Sequence, residues 1–259
     1  MSLTETTSRR ISELLGNAVR DKLANYSPET SYMPFHFRLL GRDRYAMFSF
    51  IQSMNTTFGL SIWEQIAVIL AENAKRSAKR QYILKGSIDP ETESLIQDIV
   101  NKLRSGTIPT DKRKESETIK SSVKQGNASP DDPDRIVDFF LRYQNVEEYF
   151  DITSAKPNMK EFVALKTKLL RWTALRYSQG KDIQLHTALA IPYNPYHPKP
   201  YERWTLKGLY DLNLEEVMVG EQFWNHVADD QIYGELLDIF REIGEELRGQ
   251  IDTKFSEFR

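Results

Sequence analysis

The sequence has no cysteine. That removes disulfides and thiolate-held metal centres, and it suits a reducing compartment. No apolar run approaches the roughly 18 residues that cross a bilayer, so no membrane partner is expected. The N-terminus (Thr4, Glu5, Thr6, Thr7, Ser8, Arg9, Arg10) is polar and lacks the apolar stretch of a secretory signal. A cytoplasmic protein is the expectation. The four histidines are scattered without the spacing of a zinc site. His36 and His186 sit beside apolar residues, where a core histidine is the commoner outcome. There is no glycine-rich phosphate loop and no Gly-x-Ser-x-Gly elbow. An excess of positive charge is missing too. With 35 Lys and Arg against 37 Asp and Glu, the net charge of −2 gives no bulk attraction for nucleic acid.

What is present is enough to bury a substantial core: 259 residues, 40% of them hydrophobic. The charge is unevenly placed, which matters because phosphates feel charge only within about 8–10 Å. Lys75, Arg76, Lys79, Arg80 and Lys85 form a purely basic stretch, and Arg38, Arg42 and Arg44 form a second relieved only by Asp43. A solvated helix face explains such runs equally well. The acids gather toward the C-terminus.

Apolar spacing predicts helices over residues 11–24, 45–54 and 62 to about 82, the last with Ser61 as N-cap, and over 89–103 behind Pro90 and Glu91. Residues 28–34 read as a loop. Residues 105–134 are polar and read as a long loop or an inserted helical hairpin. Two strands follow at 135–143 and 147–153, with Gln144-Asn145 as a hairpin turn. A helix is predicted over 159–177, strands at 185–191 and 217–219, and a long amphipathic helix over 231–258. The four prolines of 192–200 exclude regular structure there. The order is mixed α/β: a small mixed sheet covered by helices, with additional helical regions. The whole chain, 1–259, reads as one domain. Residues 1–134 are its mainly helical part, 135–220 the sheet core and 221–259 the C-terminal helices.

Asp138 interrupts the apolar strand Ile136-Val137-Asp138-Phe139-Phe140, and Asp151 ends the next one, Glu148-Tyr149-Phe150-Asp151-Ile152. A carboxylate among buried neighbours costs several kcal/mol unless it is paired or binds a metal. Two on neighbouring strands can converge on a hard cation such as Mg²⁺. Such an ion lowers the pKa of a bound water and steadies a phosphodiester leaving group. A nearby lysine, here Lys156, can orient that water and offset developing charge. Strand-end aspartates that merely bond to loops remain the alternative.

This spacing resembles the PD-(D/E)XK nuclease signature, an aspartate followed on the next strand by an acid-x-lysine triplet. Further segments resemble the type II restriction endonucleases acting on GGNCC-type or GGWCC-type sites. They are Phe35-His36-Phe37-Arg38-Leu39-Leu40-Gly41-Arg42-Asp43-Arg44, Asn55-Thr56-Thr57-Phe58-Gly59, Tyr149-Phe150-Asp151, Lys156-Pro157-Asn158 and Ile191-Pro192-Tyr193-Asn194-Pro195-Tyr196. The similarity runs from about Phe35 to the C-terminus. It implies a PD-(D/E)XK-like core and Mg²⁺-assisted hydrolysis of double-stranded DNA at a short GGNCC-like site. Asp138 and Asp151 would be metal ligands. Glu64, in the first turn of its helix, would be a further acid at the metal, although the helix dipole alone favours an acid there.

One position departs from the pattern. Thr153 stands where the signature has lysine, on the same strand face as Asp151. Lys156 is the first candidate to replace it, and Lys160, Lys166 or Lys168 on the following helix are the others. Without such a lysine the chain would be a non-catalytic DNA-binding protein on a decayed nuclease core. An enzyme acting on a small phosphorylated metabolite would use the same carboxylates but leaves the basic stretches unexplained.

For DNA contact the candidates are Arg42 and Arg44 and, on the proline-stiffened loop, Asn194, Lys199 and Arg203. Asn and Arg suit base edges, and Lys suits phosphates. The same loop can equally be a rigid connection whose aromatics pack on the sheet. A palindromic target is read naturally by a two-fold homodimer. A restriction role further implies a bacterial or archaeal host with a matching DNA methyltransferase encoded nearby.

Overall fold

Thr4 starts the first helix, α1 (Glu5–Asn25), by accepting the Thr7 backbone N–H at 3.2 Å. This is a computed structural model that describes residues 2–27, 33–125, 133–153, 155–202 and 204–257. The predicted loop at 28–34 therefore lies mostly outside the described residues. α2 (Pro34–Leu40) and α3 (Arg42–Thr57) meet at Gly41, whose φ of 89° is open to glycine at little cost. A π turn over Phe58–Ile62 carries α3 directly into α4 (Trp63–Asn73), so Ser61 caps nothing.

The predicted helix over 62–82 ends early. α4 stops at Asn73, and Lys79 and Arg80 of the basic stretch lie on strand β1 (Ser77–Ile83). Its half-buried positions are Ala78 and Tyr82. A spacing of four satisfies the helical period and the strand period alike, so the sequence pattern was ambiguous there. β1 is an edge strand, and charged side chains are what keeps such an edge from pairing with other chains.

Asp89 caps α5 (Pro90–Arg104). Asp111 caps α6 (Lys112–Ser122), which orders much of the polar stretch read as loop or helical hairpin. Residues 126–132 lie outside the described residues. The hairpin β2 (Ile136–Tyr143) and β3 (Val146–Ile152) follows, with Gln144 at a φ of 48° in the turn. An Asn158–Glu161 capping box opens α7 (Met159–Tyr177), which crosses over to β4 (Gln184–Ile191). The chain ends in α8 (Trp204–Lys207), β5 (Val217–Val219), α9 (Glu221–Ala228) and α10 (Tyr233–Ser256).

Among the described residues the strands form one five-stranded sheet in the order β1-β2-β3-β4-β5. The first three are antiparallel, while β3, β4 and β5 run parallel. Strand alternation sorts the core onto two faces. Tyr149 and Leu189 join the side chains of α5, α6 and α7. Phe150 and Ala188 join those of α1, α4, α9 and α10. Each fully buried large side chain contributes about 1.5–3 kcal/mol. A third cluster, with Tyr26, Phe50 and Phe255, holds α3 on α1 and α10.

Burial of four charges pins α6 to α7 and to the β4–β5 side. The Lys166 amine is fully buried, 2.7 Å from Glu216 and 2.6 Å from Glu115. Lys112 lies 3.1 Å from Glu216 and 2.5 Å from the Thr187 hydroxyl. Burial favours the neutral Glu216 acid, but Lys112 and Lys166 outweigh it and hold its pKa at about 2. Lys166→Met should therefore leave Glu115 without its cation and Glu216 with Lys112 alone, and cost about 3 kcal/mol, read as a lower urea midpoint at unchanged slope. An unchanged midpoint would show that the pairing contributes nothing net.

Candidate active site

Strand pairing lapses around Asp138 on both of its sides. The β1–β2 register passes from Arg80↔Phe139 to Tyr82↔Val137, skipping Gln81 and Asp138. Gln81 has a φ of 50°, in the left-handed region that a non-glycine residue rarely enters. The β2–β3 register stops at Phe139↔Phe150, short of Asp138 and Asp151. Beyond it the Asp138 carboxylate takes the place of a ladder partner, accepting the Ile152 N–H at 3.0 Å. The two strands thus part where the two aspartates lie.

Lys168 joins them. Projecting from the middle of α7, its amine lies 2.5 Å from an Asp151 oxygen and 3.9 Å from an Asp138 oxygen. It also stands 5.0 Å from the Trp172 ring, one turn along the helix. Burial pushes the Asp138 carboxyl up, the charge of Asp151 adds to this, and its pKa reaches about 7. Burial disfavours the charged Lys168 amine, but Asp151 and Asp138 outweigh it and hold its pKa above the usual lysine value. One amine therefore serves two carboxylates, and the pair keeps a surplus of negative charge.

Glu64, on α4, is 2% exposed. It accepts hydrogen bonds from Arg80 Nε at 3.2 Å and from Gln81 Nε2 at 2.6 Å. Burial raises its pKa, against the opposing pull of Gln81 and Arg80. Its charge is felt by both Asp138 and Lys168, so it stands beside the pair. Its oxygens are nonetheless engaged, and among the described residues no three His, Asp or Glu side chains are gathered as a metal cage. The structure brings Asp138 and Asp151 together and leaves Glu64 at their margin.

Lys156 is not brought to the pair: it is exposed, with its amine 5.3 Å from the Tyr196 ring centroid. Of the alternatives on α7, Lys160 is exposed and Lys166 belongs to the buried ion network. Lys168 alone of the four reaches the aspartates.

The candidate DNA contacts are dispersed. Arg42 is exposed, 5.8 Å from the Phe37 ring, and Arg44 donates to the Leu40 carbonyl at 2.8 Å. Asn194 spends its amide inside the proline-rich loop, donating to the Lys199 carbonyl and accepting the Tyr196 N–H. Lys199 is exposed, and Arg203 lies outside the described residues. The Tyr201 hydroxyl donates to the Ala155 carbonyl at 2.9 Å, which fixes this loop beside the end of β3. Sequence reasoning did not single out Gln81. Only its polar side chain in a basic strand hinted at it.

Two oxygen-donor carboxylates with uncompensated charge at the parting of two strands suit a hard divalent cation. This sheet, with the helix before it, the crossover helix after it and acids flanked by a lysine, is consistent with the core of a PD-(D/E)XK-like nuclease.

The family model for HinfI type II restriction endonucleases matches residues 3–244, and the chain belongs to that family of site-specific deoxyribonucleases. It is 24% identical to the type II restriction enzyme HgiCII of Herpetosiphon aurantiacus, over 98% of this chain and 99% of the relative. The type II restriction enzyme HgiBI of the same organism is 22% identical over the same shares. The type II restriction enzyme MjaII of Methanocaldococcus jannaschii is 23% identical over 73% of this chain and 53% of its own length. No solved structure matches the chain. No described helix is long and apolar enough to cross a membrane.

Proposed function

We propose that the chain hydrolyses phosphodiesters of double-stranded DNA at a GGNCC-like site with Mg²⁺, using Asp138, Asp151 and Lys168. The observation that carries this reading is the Lys168 amine set within 4 Å of both carboxylates, which supplies from α7 the amine that Thr153 lacks. Asp138 and Asp151 would hold the ion. Once bound, Mg²⁺ supplies Lewis-acid polarisation and a more acidic water. Lys168 orients the attacking water and offsets charge that develops on the phosphate. Glu64 joins as a further acid when Arg80 and Gln81 release it, and a DNA phosphate is a natural competitor for Arg80.

The GGNCC-like target is supported by the resemblance of residues 35–44 and 191–196 to enzymes cutting such sites. Arg42, Arg44, Lys199 and Arg203 are the residues we assign to DNA contact, with Asn194 framing the loop that carries Lys199. A palindromic target fits two copies of the chain, acting in the cytoplasm beside a methyltransferase that protects the host sites. A non-catalytic DNA-binding protein is the reading that Thr153 favours, and the position of Lys168 weighs against it.

Incubation with long unmethylated duplex DNA tests the proposal. Discrete fragments ending at GGNCC-like sites are expected with Mg²⁺ and none with a chelator. DNA that is bound but uncut at every Mg²⁺ concentration would favour the binding protein instead. Discrete cutting at unrelated sites would overturn the target while leaving the chemistry.

A further inference from the structure

α2 has the sequence Pro-Phe-His-Phe-Arg-Leu-Leu, five of its seven residues apolar, yet none of them is buried. Phe35 is 84% exposed and Leu39, one turn later, 82%. Leu40 is exposed beside them, and Met47, Phe48 and Ile51 are exposed on α3. The opposite side of α3, through Ala46, Phe50 and Met54, is the one that packs on α1 and α10. α2 itself is held to α3 by the edge of Phe37 against Tyr45 at 5.2 Å. An apolar helix that its own chain leaves in water has no account in the stability of one copy.

We propose that this α2–α3 face is where a second copy of the chain docks. Three arguments favour that occupant. The six exposed side chains offer on the order of 600 Å² of apolar surface at aromatic-sized areas per residue. That is at the upper limit for a patch on a monomer and most of the ~800 Å² per partner that a stable dimer needs. Its make-up is also that of a homodimer interface, with phenylalanine, leucine and methionine at the centre. Arg38, Arg42 and Arg44 are exposed on the same two helices, at the rim, where Arg42 and Arg44 stay open to DNA. The apolar centre itself does not suit DNA, which is met by a polar, basic face. Lastly, one chain carries one carboxylate pair, whereas a palindromic duplex presents two equivalent scissile strands. This last argument rests on the endonuclease reading.

Sedimentation of the full chain without DNA, at tens of micromolar, should give the mass of two chains. Leu39→Glu with Phe48→Glu should give the mass of one, with far-UV circular dichroism and melting temperature kept, since both side chains are exposed in the single copy. A wild-type monomer would overturn the proposal and leave the face to a different protein partner. A double variant that remains dimeric would overturn it by placing the interface elsewhere. Cleavage by the wild type is scored separately. Cutting alongside a still-dimeric variant would fault the face alone, and a dimer lost on substitution in a chain that never cuts would fault the endonuclease reading alone.

Discussion

Lys168→Met is expected to slow DNA cleavage by about 10²–10³-fold or more, the usual cost of removing a preorganised group that stabilises transition-state charge. Lys156→Met is expected to stay within a few-fold of wild type. The contrast follows from position: one amine lies 2.5 Å from Asp151, the other lies over Tyr196 in solvent. Removing Lys168 also leaves Asp151 and Asp138 without their shared cation, so lost activity could reflect disturbed folding. DNA binding measured in Ca²⁺, which accepts the same oxygen ligands with looser geometry, separates the two. Binding kept with cutting lost is the expected pattern. Cleavage lost in the Lys156 variant and retained in the Lys168 variant would reverse the assignment.

Asp138→Asn is expected to abolish cutting, by at least about 10³-fold if a metal ligand worth several kcal/mol is lost, and yet to stabilise the metal-free fold. Asparagine still presents an oxygen to the Ile152 N–H but brings no charge to the buried pair. The pH dependence has a definite sign. The Asp138 carboxyl titrates at about 7 in the folded chain against 3.8 for the free group, so between those values the folded state holds a proton that the unfolded state has released. Stability is therefore lost as pH rises from about 4 to 7, by up to about 4 kcal/mol at 1.36 kcal/mol per unit. The melting temperature of Asp138→Asn in a chelator should exceed that of wild type near neutral pH and above. The difference should close toward pH 4. Equal melting temperatures at about pH 8 would mean that neither burial nor Asp151 raises the Asp138 carboxyl in the folded chain.

The two aspartates were legible because an acid inside an apolar strand breaks an otherwise clean pattern. So were the hairpin that carries them, the helix over 159–177 and the strand that follows it. β1 was not, since Ala78 and Tyr82 fit either period and its remaining residues are those of an exposed edge. The engagement of Glu64 by Arg80 and Gln81 was equally hidden, because it follows from β1 lying beside α4. Lys168 was one of four lysines in reach of the argument. Choosing among them needs the rotation of α7 over the sheet, and strand parity carries no information about a helix that packs across it. The proline-rich loop shows the converse: Asn194 looks like a base reader in sequence, and its hydrogen bonds are spent on the loop itself.

A lysine carried by α7 also frees the strand that would otherwise bear it. β3 ends at Ile152, and Thr153 only has to offer its N–H to the Ala190 carbonyl, which any residue but proline can do. On the proposed reading, substitution at 153 by any residue but proline should leave cleavage unchanged, and the constraint moves to residue 168 and to the packing that sets the pitch of the crossover helix. Nucleases built this way would lack the acid-x-lysine triplet while keeping its three charged groups in place. A search keyed to the triplet would pass them by, whereas one keyed to a lysine near the middle of the crossover helix would find them.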